Sequence, residues 1–249
     1  MTILAFYSIK GGVGKTAAAV NLAYLSSRDR FRTLLCDLDP QGSTSYYFRI
    51  RAPKKFNSKT LLKGGKKVDR AIRGSDYENL DILPSDFSYR KLDLALGNRA
   101  RTKKWLKELL TPFEDEYDFI FLDCPPSITL LSENVFFAAD YIILPFVPTP
   151  LSQLTYKQLL KFFNKSELDQ TLIIPFFSMV EQQKKVHRDV IREMAENGQF
   201  LKCMVPYVAD IEKMGIYRQP VACTQPTSKA TSSFEGLWNE LKELIIRRT

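Results

Sequence analysis

At 249 residues, 45% of them hydrophobic and 26% charged, the chain is long enough to bury the core of one α/β domain spanning residues 1–249. No run approaches the roughly 18 apolar residues of a membrane span, and the opening MTILAFYSIKGG lacks the basic start and cleavage site of a secretory signal, so it reads as a first strand. The formal charge is +8, and residues 49–73 hold ten Lys or Arg against one acid, Asp69; an excess held in one stretch points to a polyanion-facing surface. Cys36, Cys124, Cys203 and Cys223 are far apart with no C-x-x-C pair, which argues against disulfides or zinc and suits a reducing cytoplasm.

Short apolar runs alternate with helical patterns, the mark of a parallel sheet with crossover helices. The chain order predicts a strand at Ile3–Ser8, a helix over 15–28, a strand at Thr33–Asp37, and no defined element over 49–76, where Pro53, Gly64, Gly65 and Gly74 interrupt any helix. A strand at Leu80–Leu83 and a helix over 89–111 follow. Next come the strand Tyr117–Asp123, a helix over 129–138, the strand Tyr141–Phe146 and a helix over 152–165. The strand Leu172–Phe177, a helix over 184–197, a strand at Cys203–Val205 and a helix over 229–247 complete the series. The runs FIFLD and YIILPF are continuous rather than alternating, as strands covered on both faces should be. The lone His187, in KKVHRD, is read as a surface helix residue.

Between the first strand and the first helix lies Lys10-Gly11-Gly12-Val13-Gly14-Lys15-Thr16, followed by Ala17. Strand, glycine-rich turn ending in Gly-Lys-Thr, then helix is the context of a P-loop. Glycines let backbone N–H groups close around phosphate oxygens, and the helix N-terminus adds its positive dipole end. Lys15 is expected to reach the β- and γ-phosphates of ATP, and the Thr16 hydroxyl to ligate Mg²⁺. The usual pattern wants glycine at position 9, where this chain has Ile9 followed by Lys10. That second lysine would add positive charge where negative charge develops.

A P-loop needs a carboxylate at a neighbouring strand end to hold the Mg²⁺ shell. Asp123 supplies it after Phe119-Ile120-Phe121-Leu122, with Cys124-Pro125-Pro126-Ser127 turning the chain away. Asp118, at the far end of that strand, is read as structural. A second strand ends in Asp37-Leu38-Asp39-Pro40-Gln41-Gly42. Asp37 and Asp39 are two apart and, if extended, face the same side. Asp39 is taken to orient the attacking water, and Asp37 to buttress the Mg²⁺ shell.

Lys10–Thr16, Asp37–Gly42 and FIFLDCPPS together resemble the ParA/MinD family of deviant Walker A ATPases, over nearly the whole chain. Asn21-Leu22-Ala23, Leu83-Pro84-Ser85 and Pro220-Val221 add to the likeness. The resemblance implies a doubly wound, mostly parallel sheet with helices on both faces and a homodimer that sandwiches ATP. It implies that Lys10 crosses to the partner's ATP, that Asp39 positions water, and that hydrolysis is slow and stimulated by a ParB-like protein on a cargo. The stretch VPYVADIEKMGIYRQPV keeps Pro206, Pro220 and Val221 of the adenine-side pattern but little between them; Pro206 is kept as a nucleotide contact, through backbone.

Members of that family divide by what the dimer binds. Here Lys54, Lys55, Lys59, Lys63, Lys66, Lys67, Arg70, Arg247 and Arg248 favour nonspecific, salt-sensitive DNA binding, hence a cytoplasmic, nucleoid-associated bacterial or archaeal protein. No membrane attachment is expected, since Phe234, Leu237, Trp238, Leu241, Leu244 and Ile245 form a stripe read as core and no basic amphipathic segment follows it. The alternatives are a MinD-like membrane-associated positioning ATPase and an accessory ATPase for a secretion, cellulose or flagellar apparatus. A cluster-carrying reductase-like ATPase would need paired cysteines that the spacing does not offer.

Overall fold

Both faces of the central strands are covered, which is why their apolar runs do not alternate. In FIFLD, Phe119 and Phe121 enter one hydrophobic cluster while Ile120 and Leu122 enter the other. Ile3 and Ala5 likewise separate from Leu4 and Phe6. A strand with water on neither side has no use for polar residues.

The structure is a computed structural model that describes residues 1–98, 102–196 and 199–248. In chain order it contains β1 (Thr2–Phe6), α1 (Lys15–Arg28), β2 (Thr33–Asp37), α2 (Ser43–Tyr47), α3 (Ser58–Lys63), α4 (Lys66–Asp69), β3 (Arg73–Gly74) and β4 (Leu80–Leu83). There follow α5 (Leu92–Gly97), α6 (Trp105–Leu110), β5 (Phe119–Asp123), α7 (Leu130–Ala138), β6 (Tyr141–Phe146) and α8 (Pro150–Lys165). The last are β7 (Ile173–Phe177), α9 (Lys185–Ala195), α10 (Ala209–Tyr217), α11 (Val221–Thr224) and α12 (Lys229–Arg248). The sheet has the order β3-β4-β2-β5-β1-β6-β7, with every neighbouring pair parallel except β3 against β4. It is the mostly parallel sheet the sequence predicts, with helices on both faces. On one side pack α3 to α9, through residues such as Leu61, Trp105, Val135, Phe163 and Val190. On the other pack α1, α10, α11 and α12.

α1 is buried almost all round, lying between sheet and α12, so alanines at 17, 18, 19 and 23 let it approach both. Register places the functional ends together: Phe6 pairs with Asp123 across β1 and β5, and Asp37 pairs with Asp123 across β2 and β5. The loop after β1 therefore leaves the sheet beside two aspartates.

Several expectations change. Residues 203–205 form no strand: Val205 N donates to Phe177 O at 2.8 Å and Val180 N to Val205 O at 3.0 Å, but only one bridge, Val180 to Pro206, is made. Pro206 has no N–H to continue a ladder. The helix expected over 89–111 is two short helices, α5 and α6; Gly97 and Asn98 close the first, and its middle at 99–101 lies outside the described residues, as does the expected end of the 184–197 helix at residue 197. The region 49–76 holds α3 and α4, set off by Gly64 (φ 67°) and Gly65 (φ 70°), where only glycine is at ease. α2, α10, α11 and the two-residue β3 were not anticipated. His187 is buried at 3% exposure, not at the surface. Its Nδ1 accepts the Glu181 N–H at 3.1 Å and so ties α9 to the loop before it.

Candidate nucleotide site

The loop after β1 folds as a cradle. Gly12 (φ 68°) and Gly14 (φ 90°) turn the backbone through the left-handed region, and α1 starts at Lys15, so its free N–H groups face the loop's concavity. Ser178, after β7, donates its hydroxyl to Val13 O at 2.9 Å and closes the loop from outside. Lys15 is 7% exposed and its Nζ donates to Lys10 O at 3.2 Å. Burial lowers its pKa, while the charges of Asp123, Cys124 and Asp39 pull it back up.

Over the cradle lies a cavity of about 380 Å³, within the usual range for a small-molecule site. Gly11 to Ala18 of the glycine loop and Asp39 are among its lining residues, as are the largely apolar Phe176, Pro206, Tyr207, Val208 and Ile211. Of the expected residues, Gly11, Gly12, Val13, Gly14, Lys15, Thr16, Ala17, Asp39 and Pro206 thus meet at one cavity. Asp39 accepts the Gln41 N–H on Oδ1 at 2.9 Å, and its carbonyl accepts the Ser85 hydroxyl at 2.5 Å.

Asp37 and Asp123 lie behind this wall, both 0% exposed. Asp37 Oδ2 accepts from Ser45 N at 2.8 Å and Ser45 Oγ at 2.7 Å; Asp123 Oδ2 accepts from Thr44 Oγ1 at 2.7 Å. Burial pushes the Asp37 carboxyl up, and the neighbouring Asp123 adds to the rise. Burial pushes Asp123 up as well, against the Thr44 and Thr16 hydroxyls and Lys15. Each carboxylate retains one buried oxygen, Oδ1, without a partner. Two orphaned hard oxygens, with the Thr16 hydroxyl near Asp123, suit Mg²⁺ held largely through water and phosphate. Among the described residues no group of three or more His, Cys, Asp or Glu could cage a metal unaided.

A family model described as an AAA domain, AAA_31, matches residues 1–174. The chain belongs to this family as a ParA/MinD-like P-loop ATPase. It is 28% identical over 252 residues to the virulence plasmid ParA family protein pGP5-D of Chlamydia psittaci, covering 98% of this chain and 96% of that protein. Against the sporulation initiation inhibitor protein Soj of Bacillus subtilis it is 26% identical over 249 residues, covering 96% and 97%. A solved structure described as a plasmid partition protein of Borrelia burgdorferi, bound to AMPPNP, superposes with a TM-score of 0.84 at 24% identity, covering 97% of this chain and 98% of that one.

In this ParA/MinD-like chain Lys10 does not line its own cavity; its Nζ reaches Ser152 Oγ at 3.5 Å, at the start of α8. Asp118 is structural, as read: it accepts Arg32 N at 2.8 Å and pairs with the Arg32 guanidinium at 3.1 Å. The basic candidates fall into two groups. Lys54, Lys55, Lys59, Lys63, Lys66, Lys67 and Arg70 are exposed on, before and immediately after α3 and α4. Arg247 and Arg248 lie on α12, across the sheet; Arg247 pairs with Glu243 at 3.4 Å and Arg248 donates to Thr171 O at 2.9 Å. Sequence reading missed Ser43, Tyr47, Tyr207 and Glu212 of the cavity wall, and Thr44 and Ser45 behind it. The run Ser43-Thr44-Ser45 directly after the aspartate turn was the available signal.

Proposed function

We propose that this chain is a Mg²⁺-dependent ATPase of the partition type, which dimerises around ATP, binds DNA without sequence preference and positions a cargo whose ParB-like partner stimulates hydrolysis. The observation that carries this reading is the meeting of glycine cradle, Lys15, Thr16 and Asp39 at one cavity with two buried carboxylates behind it. Lys15 would leave the Lys10 carbonyl for phosphate oxygens. Asp39, on the cavity wall with its backbone fixed by Ser85, would orient the attacking water. Thr16, Asp37 and Asp123 would hold magnesium, which when bound offsets charge developing on phosphoryl oxygens. Lys10 does not line its own cavity and reaches Ser152 instead; it would serve a second copy's nucleotide.

The largely apolar lining residues of the cavity suit an adenine ring, with Pro206 contributing shape and backbone. The DNA reading is supported by α3, α4 and the residues flanking them, whose six lysines and Arg70 form no ion pair among the described residues. Unpaired surface cations are what phosphate backbones recruit, and six phosphate contacts would cost about a thousandfold in affinity between roughly 50 and 200 mM salt. Arg247 and Arg248, engaged and on the other face, fit that role less well. Among the described residues no helix is long and apolar enough to cross a membrane. The exposed, unpaired cations of this region favour a nucleoid-borne protein.

The test is retention of Asp39→Ala protein, expected to accumulate as ATP dimer, on arbitrary DNA with ATP, ADP or no nucleotide, with anionic liposomes in parallel. ATP-dependent, salt-sensitive DNA retention, lost in the triple variant Lys63→Glu, Lys66→Glu, Lys67→Glu, supports the reading. Retention on liposomes alone, or on neither, overturns it.

A further inference from the structure

The carboxylates behind the nucleotide cavity are held by an element the sequence did not predict. α2 is five residues long and supplies one hydroxyl to each: Thr44 to Asp123, Ser45 to Asp37. Thr44 and Asp123 are both 0% exposed, and they meet across 79 residues of sequence. Threonine is an indifferent helix former, and a valine would fill the same space without the hydroxyl. What the hydroxyl adds is a bond to one chosen oxygen.

That choice acts on the carboxylate. With Oδ2 taken by Thr44, Asp123 keeps Oδ1 as its partnerless oxygen, so the hydroxyl biases which oxygen is left to accept before any ligand arrives. α2 is continuous with the Asp39 turn: Gly42 N donates to Asp39 O at 2.9 Å, and Gly42 enters the helix at φ 67°. Ser85 joins the same assembly, its N–H donating to Ser45 Oγ at 3.0 Å and its hydroxyl to Asp39 O. The Asp123 carboxylate and the backbone that carries Asp39 therefore belong to one hydrogen-bonded unit.

We propose that Thr44 is a positioning residue for Asp123, pinning Oδ2 so that Oδ1 alone faces the magnesium water shell and tying that carboxylate to the segment that bears Asp39. The proposal rests on the assignment of Asp123 to the magnesium shell. Partners one bond removed from a metal typically change its affinity by about ten- to a hundredfold when lost, and the lower figure applies to one neutral hydroxyl.

The experiment titrates Mg²⁺ into protein with a fluorescent, non-hydrolysable ATP analogue, so that no turnover is needed. Thr44→Val is expected to raise the Mg²⁺ concentration at half-maximal binding by about tenfold. Thr44→Ser, which restores the hydroxyl, should return it to within about twofold, and analogue binding in EDTA should be the same in all three because the glycine cradle is untouched. Thermal unfolding is measured alongside; should Thr44→Val fail to fold, Thr44→Ala carries the same expected shift. Asp123→Asn is the control. If it leaves the Mg²⁺ requirement unchanged, the assignment of Asp123 fails and the proposal with it. If Asp123→Asn shifts the requirement and the folded Thr44 variants do not, Thr44 merely packs and the proposal alone is overturned.

Discussion

Gly14 stands at φ 90°, and a Cβ built there would come within 2.9 Å of Ser178 Oγ. Two costs coincide: a left-handed backbone that other residues adopt at about 1–2 kcal/mol, and a contact that displaces the hydroxyl holding Val13 O. Gly14→Ala should therefore distort the cradle itself and weaken nucleotide binding by at least about tenfold, at 1.4 kcal/mol per decade. Isothermal titration with an ATP analogue reads it directly, and undiminished affinity would mean that Ser178 yields. Gly12 has the same sign of φ but open space around its missing Cβ, so Gly12→Ala should cost less. At this scale the sequence was most informative where chemistry demands neighbours in the chain: cradle, Lys15, Thr16 and the strand-end aspartates are local patterns. Thr44 and Ser45 were invisible because a hydroxyl's target depends on which strand lies beside it. His187 was misread because its charged neighbours suggested a solvent-facing helix, whereas it is buried and its Nδ1 accepts the Glu181 N–H.

At the scale of elements, the sheet strands other than β3 were legible, a strand expected at 203–205 does not form, and helices were only partly legible. β2, β4 and β6 lie where the apolar runs put them, because a strand buried on both faces writes its limits as a change from apolar to polar. α10 is not legible in the sequence, because its nine residues bury only Met214 and so carry almost no helical stripe. Yet α10 forms one wall of the cavity and α2 another, and side chains join them. Tyr46 Oη donates to Gly215 O at 3.1 Å, Arg218 Nε donates to Tyr46 O at 2.9 Å, and the guanidinium lies 4.4 Å from the Tyr46 ring centroid. Arg218 does this from φ 54°, ψ 51°, a helix-ending conformation that glycine adopts without penalty. Arg218→Gly should thus relieve about 1 kcal/mol of backbone cost while unfastening the two walls. The expected outcome is a melting temperature equal to or above that of the natural chain, together with nucleotide release faster by several-fold in a fluorescent-ADP chase. Release at the natural rate would show that the walls stay closed without the arginine.

For the molecule as a whole, the decisive seal is α12 laid over α1 and the sheet. Trp238 is 1% exposed and meets Phe119 edge-on at 5.5 Å between ring centroids, which is why the stripe of α12 was correctly read as core. Its indole N–H still needs an acceptor once buried, and Asp29, just past the end of α1, provides it at 2.9 Å while also accepting from Lys242. Burial alone would raise the Asp29 carboxyl; the hydrogen bonds from Lys242 and Trp238, with the charges of Lys242 and Arg28, hold it below its ordinary range. A carboxyl whose folded pKa is depressed stabilises the fold above its unfolded value, near 3.9, and that stabilisation is lost as pH falls through the folded one. Asp29 is 31% exposed at its side chain, so solvent screens part of the effect and about 1 kcal/mol at neutral pH is the appropriate scale. Asp29→Asn should accordingly unfold more easily than the natural chain in urea at pH 7, and the gap should close below about pH 4. A gap that persists undiminished in acid would assign the loss to packing around Trp238 rather than to the charge of Asp29.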